Sequence, residues 1–128
     1  MDDLIARVTH KTGLDPETAE KAVGIILGFL KKEGPPEEVE QMLRVMPQAE
    51  EMIAKGEDAA GGGSMMGAMG GMMGGGVMAL GGKLMQVGVS MGQMQPLGKE
   101  LFAYGREHAG EDAMGTLVAS VPGLSQFV

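Results

Sequence analysis

The apolar positions of the first sixty residues recur at helical spacing and break at glycine or proline. Leu4, Ile5 and Val8 share one side of a short helix, and Gly13 stands where a left-handed C-terminal cap would close it. The segment LDPETAEKAVGIILGFLKK predicts a second helix with Asp15 as N-cap and Pro16 at the first helical position. Its stripe is Ala19, Ala22, Val23, Ile26, Phe29 and Leu30, with Glu17 and Glu20 near the positive end of the helix dipole and Lys31 and Lys32 near the negative end. Gly34 and Pro35 stop that helix, and Val39, Met42, Leu43 and Met46 stripe a third as far as Pro47. Gln48 to Lys55 predicts a fourth, with Gly56 as its cap.

The other end of the chain, QPLGKELFAYGREHAGEDAMGTLVASVPGLSQFV, predicts two further helices and a short apolar tail. Its apolar pattern echoes the first part at an offset of 75 residues: Ile26, Leu27 and Phe29 fall on Leu101, Phe102 and Tyr104, and Val39, Met42 and Leu43 on Met114, Leu117 and Val118. Pro47 falls on Pro122, and Met52 and Ile53 on Phe127 and Val128, while identity is nearly absent. The tail is expected to lie as a lid over Leu101, Leu117 and Val118. No segment alternates like a half-buried strand. The expected fold is all-α, with two small helical modules: an acidic one over 1–58, a Gly/Met-rich uncharged connector over 59–95, and a shorter one over 96–128.

The connector sets the functional question. Residues 61–82 hold eleven Gly, a penalty of about 9 kcal/mol in a helix relative to Ala at roughly 0.8 kcal/mol each. A flexible tether of this length would span about 26 Å root-mean-square. Tethers seldom need so many large apolar groups, however, and this one carries Met65, Met66, Met69, Met72, Met73, Met78 and Leu80. Gly63, Gly67, Gly71 and Gly75 recur every fourth residue, so on a helix they would line one edge where another backbone can approach. Met66, Met69, Met73, Met78 and Leu80 would flank that edge and adapt to what crosses it. These nine residues are the candidate interaction residues. The partner is expected to be a protein or another copy of the chain, giving a homo-oligomer.

Residues 59–82 are also long enough as a helix to cross a bilayer. They lack an aromatic belt and flanking Lys/Arg clusters, so membrane association is the alternative reading rather than the favoured one. Net charge is −7, which opposes general attraction to phosphate backbones, and most of it lies in residues 1–58. The N-terminus MDDLIARVTHKTG has neither a basic start nor an apolar core, so a cytoplasmic location is expected.

Catalytic chemistry finds no foothold in the sequence. Cys is absent, and GGGVMALGGKL follows Lys83 with Leu84 where a phosphate-binding loop needs Ser or Thr. Glu37, Glu38 and Glu40 crowd the first turn of a helix, where the dipole favours negative charge without any catalytic role. Met66, Met69 and Met72, with Met91 and Met94, have a spacing that could offer thioethers to Cu(I), but packing explains them more economically. His10 and His108 stand alone on polar helix ends. The expectation is therefore no enzyme activity, no cofactor and no metal.

The stretch MDDLIARVTHKTGLDPETAEKAVGIILGFLKK resembles the N-terminal helical hairpin of HU and IHF-type bacterial nucleoid proteins, through its L-I-x-x-V, K-T-G-L and A-E-K-A-V segments. The resemblance covers about a quarter of the chain and implies a helical hairpin and self-association. Such proteins grip DNA with a basic β-ribbon arm, and no basic strand pair follows here, so nucleoid-type DNA binding is the second alternative. The whole arrangement, with AEKAVGIILGFLKKEG, the Gly/Met-rich middle and the VPGLSQFV ending, is similar to small uncharacterised bacterial helical proteins of the VcgC/VcgE-like, domain-of-unknown-function kind. That likeness implies no catalytic residues.

Overall fold

The computed structural model describes residues 2–46, 48–59 and 77–120, and the described chain is helical with no strand. Helix α1 spans Asp2–Thr12, α2 Pro16–Glu33, α3 Pro36–Arg44 and α4 Ala49–Ala59. After residues 60–76 come α5 at Val77–Gln86, α6 at Met91–Ala109 and α7 at Glu111–Ser120. The all-α expectation holds, and the first four helices stand where apolar spacing put them.

Local chemistry accounts for most of their ends. Gly13 adopts φ +78° and donates its N–H to the Thr9 carbonyl at 2.8 Å, closing α1 with the left-handed residue that the sequence required. Pro16 opens α2 behind an extended Asp15, whose side chain makes no capping bond. At the other end, the Gly34 N–H reaches the Leu30 carbonyl at 2.7 Å. Glu37 and Glu38 occupy the first turn of α3.

Gly56 departs from expectation. It does not cap α4; the helix runs through it to Ala59, and Gly56 is buried against α2. A Cβ there would lie 2.6 Å from the Lys21 carbonyl oxygen and 2.7 Å from the Ile25 nitrogen, while a Cβ at Gly24 would run into the Met52 carbonyl. The two glycines let α2 and α4 touch backbone to backbone, in the most extensive helix pairing among the described residues. Lys31–Glu50 at 3.3 Å and Lys55–Glu20 at 3.2 Å close the two ends of this antiparallel pair. This also explains why α2 is buried continuously from Ala22 to Gly28 rather than along one stripe: α4 covers a face that the stripe leaves out.

The two predicted modules share one core. Leu4, Val8, Ile26, Leu27 and Leu30 belong to the same apolar cluster as Leu80, Leu84, Leu101, Phe102 and Leu117. Helix α1 packs on α6, α5 packs on α2, and α3 packs on α7. Each short leading helix therefore lies on the long helix of the other half as well as on its own. Arg7 on α1 reinforces one crossing, with its guanidinium 3.2 Å from Glu100 and 2.8 Å from Glu107 on α6. These carboxylates raise the Arg7 pKa above its ordinary value, chiefly through the Glu107 hydrogen bond.

Helix bounds also recur along the chain. α1, α2 and α3 begin at residues 2, 16 and 36, and α5, α6 and α7 at 77, 91 and 111, each 75 positions on. Gly13 and Gly88 occupy equivalent turns, both with positive φ, and Asp15 and Ser90 are both extended N-cap residues.

Candidate interaction surface

Of the nine candidate interaction residues, Gly63, Gly67, Gly71, Gly75, Met66, Met69 and Met73 lie outside the described residues. The tail 121–128 and its expected lid position lie outside them too. Met78 and Leu80 fall within α5, which places the C-terminal end of the Gly/Met stretch in a regular helix. Leu80 is only 1% exposed and Leu84 is fully buried, so the face carrying this i, i+4 pair sits in the shared core, packed toward α2 and α6. That anchoring overcomes two adjacent helix-weakening glycines, Gly81 and Gly82.

The other side of α5 is open as far as the described residues show. A Cβ built at Gly81 or at Gly82 would meet no atom within 4 Å, and Met85, one turn beyond Gly81, is 57% exposed. This contrasts with Gly24 and Gly56, where an opposing backbone occupies the space that a side chain would need. Across the turn that follows, Met91 stands 76% exposed at the first position of α6, and Gly88 and Gly92 lie nearby in sequence. The turn is well held: Gly88 N–H donates to the Met85 carbonyl at 3.2 Å and Val89 N–H to the Leu84 carbonyl at 3.0 Å.

The connector boundary expected at residue 95 falls inside α6. Gln93 accepts the Ser90 N–H on its Oε1 at 3.1 Å, the S-x-x-Q pattern that starts a helix, and its Nε2 donates to the Thr12 carbonyl at 2.9 Å. One side chain thus organises the start of α6 and satisfies an end carbonyl of α1. The S-x-x-Q signal is present in the sequence at Ser90 and Gln93. Pro96 lies within the helix, at a half-buried position.

Other candidate chemistry is dispersed. Met91 is exposed and Met94 is 7% exposed, so the M-x-x-M pair on α6 points one thioether outward and one inward. His10 is exposed at the end of α1, and His108 is exposed with its ring 4.2 Å from that of Tyr104. Glu37 and Glu40 are exposed on α3. Among the described residues no three His, Cys, Asp or Glu side chains gather into a metal-binding group. A depression of about 250 Å³ between α3 and α4 is lined by Glu40, Leu43, Arg44, Met46, Ala49 and Glu50, a mixed-charge surface next to the Lys31–Glu50 pair. Among the described residues no helix is long and apolar enough to cross a membrane. No family model, curated protein or solved structure matches the chain.

Proposed function

We propose that the protein is a non-enzymatic interaction module that associates with another copy of itself or with a helical partner, through the Gly/Met-rich stretch and its continuation along α5. The observation that carries this reading is the Gly81/Gly82 pair of α5, where a side chain would meet no described residue. Where this chain brings two helices into backbone contact, it places glycine at the crossing, as at Gly24 and Gly56. At Gly81 and Gly82 it places the same residue type on a helix with no described residue within 4 Å of a built Cβ. Two glycines there forfeit about 1 to 2 kcal/mol of helix stability relative to Ala, with no crossing among the described residues to justify the loss. A partner helix laid on that edge gives the loss a purpose, and the adaptable thioether of Met85 is suited to bordering it.

Light scattering with multi-angle detection on the full chain tests the proposal. The expected result is a dimer or larger species that shifts toward monomer in the Gly81→Leu/Gly82→Leu variant, with helical circular dichroism unchanged. A monomer at high concentration overturns self-association. An assembly indifferent to the double substitution moves the interface away from α5.

A further inference from the structure

We propose that Met85 and Met91, both exposed in the single chain, form a reversible oxidation site for hydroperoxides, an inference that does not rest on the assembly reading, in which a partner would border Met85. Seven methionines have described side chains, and they divide sharply. Met42, Met46, Met52, Met94 and Met114 are buried, the most accessible being Met94 at 7%, whereas Met85 is 57% and Met91 is 76% exposed. A thioether reacts with peroxide only when the oxidant reaches sulfur, so the buried five react through opening of the core and the exposed two react directly.

The two residues bracket one turn, and the structure lets that turn carry oxygen. Its hydrogen bonds run through backbone groups of Leu84, Met85, Gly88 and Val89 and through the Gln93 side chain. Neither thioether holds the turn together, and neither belongs to the core cluster. Converting an apolar sulfur into a polar sulfoxide at these positions leaves every one of those bonds in place. The same conversion at Met114 or Met42 would put an unpaired oxygen inside a closed core.

The chemistry is a two-electron transfer. A sulfur lone pair attacks the terminal oxygen of the hydroperoxide, the S–O bond forms as the O–O bond breaks, and the departing oxygen leaves as an alcohol, or as water when the oxidant is hydrogen peroxide. Reversal requires a dithiol-dependent methionine sulfoxide reductase: two thiols become a disulfide and the oxygen departs as water. Both residues are exposed enough to enter such an enzyme's site.

The sequence supplies an internal control. Trypsin releases Leu84–Lys99 as one peptide, which carries Met85, Met91 and the buried Met94. Full-length protein, diluted to a concentration where light scattering shows a monomer, is treated with dilute hydrogen peroxide, quenched with free methionine, digested and read by fragment-ion mass spectrometry. Met85 and Met91 are expected to take one oxygen each at rates about tenfold or more above that of Met94, with far-UV circular dichroism unchanged. In urea the three rates are expected to converge. Reductase with dithiol is expected to return the peptide to its original mass, and Met85→Leu/Met91→Leu to leave it unoxidised over the same interval.

Equal rates at Met94 and the exposed pair in the folded chain overturn the proposal. So does a helical signal that falls in step with oxygen uptake at Met85 and Met91, or a slow Met94 that stays slow in urea. Sulfoxides that the reductase fails to return remove the claim of reversibility.

Discussion

At the scale of single residues, glycine does opposite work in different places, and the difference is measurable. Gly24 and Gly56 sit where α2 and α4 touch through backbone, and no rotamer can relieve a Cβ directed into a carbonyl. Gly24→Ala is therefore expected to force the helices apart at a cost of about 3 kcal/mol, read as a lower urea midpoint with unchanged slope. Gly82 has open space around it and ordinary helical backbone, so Gly82→Ala is expected to raise stability by about 0.8 kcal/mol when assayed at concentrations where the chain is monomeric. Gly13 is a third case: its φ of +78° makes Ala costly by about 1 kcal/mol although nothing lies within 4 Å. Only this last role was legible in the sequence, because a helix-ending glycine announces itself by its position after the stripe. Gly56 looked like the same signal and was not one. Its neighbour across the crossing is 32 residues away along the chain, and no local pattern encodes a contact of that range.

At the scale of elements, helices announced by an apolar stripe were readable, α6 and α7 among them, and α5, weakened by adjacent glycines, was not. Helices α1 to α4 follow from Leu4/Ile5/Val8, the Ala19 to Leu30 stripe, Val39/Met42/Leu43/Met46 and the Gln48 to Lys55 segment; the striped residues are buried except the half-buried Phe29 and Leu43, and Met46 lies just past the end of α3. The stripe of α5 reduces to Leu80 and Leu84 with two glycines between, so propensity argues against a helix that tertiary burial then imposes. The Arg7 crossing between α1 and α6 is likewise invisible at the level of sequence, being a pairing across 93 positions. Arg7 keeps about a third of its side chain exposed and Glu107 more than half, so solvent screens much of the attraction. An Arg7→Gln, Glu100→Gln double-mutant cycle is expected to return a coupling of about 0.5 kcal/mol at low salt that largely vanishes at 1 M salt. The raised Arg7 pKa points the same way: stabilisation from a group with a raised folded pKa is complete below its unfolded pKa and is lost only as pH climbs through the folded one. For a guanidinium that window lies far above neutrality, so the Arg7 charge itself introduces no pH dependence under ordinary conditions.

At the scale of the whole molecule, the decisive feature is that the buried residues of both halves form one apolar cluster. Leu4 and Val8 reach full burial with α1 lying on α6, and Leu101, Phe102 and Leu117 are sealed in the same cluster as Ile26, Leu27 and Leu30. A segment of about sixty residues standing alone buries too small a fraction of its surface to be more than marginally stable, so sharing a core across the Gly/Met-rich stretch solves a size problem for both halves. This makes a prediction that two independent modules would not satisfy. Leu4→Ala removes buried volume from α1 and Leu101→Ala removes it from α6, each at an expected cost of about 3 kcal/mol. If the core is one cooperative unit, either substitution lowers a single unfolding transition, and amide exchange accelerates by similar factors in α2 and in α6 whichever half carries the change. Separate modules would instead show two transitions, with exchange accelerated only in the substituted half. The two outcomes are distinguished by following α2 and α6 amides in the same sample, because a loss of protection of about 3 kcal/mol in the half that carries no substitution can arise only through the core that the halves hold in common.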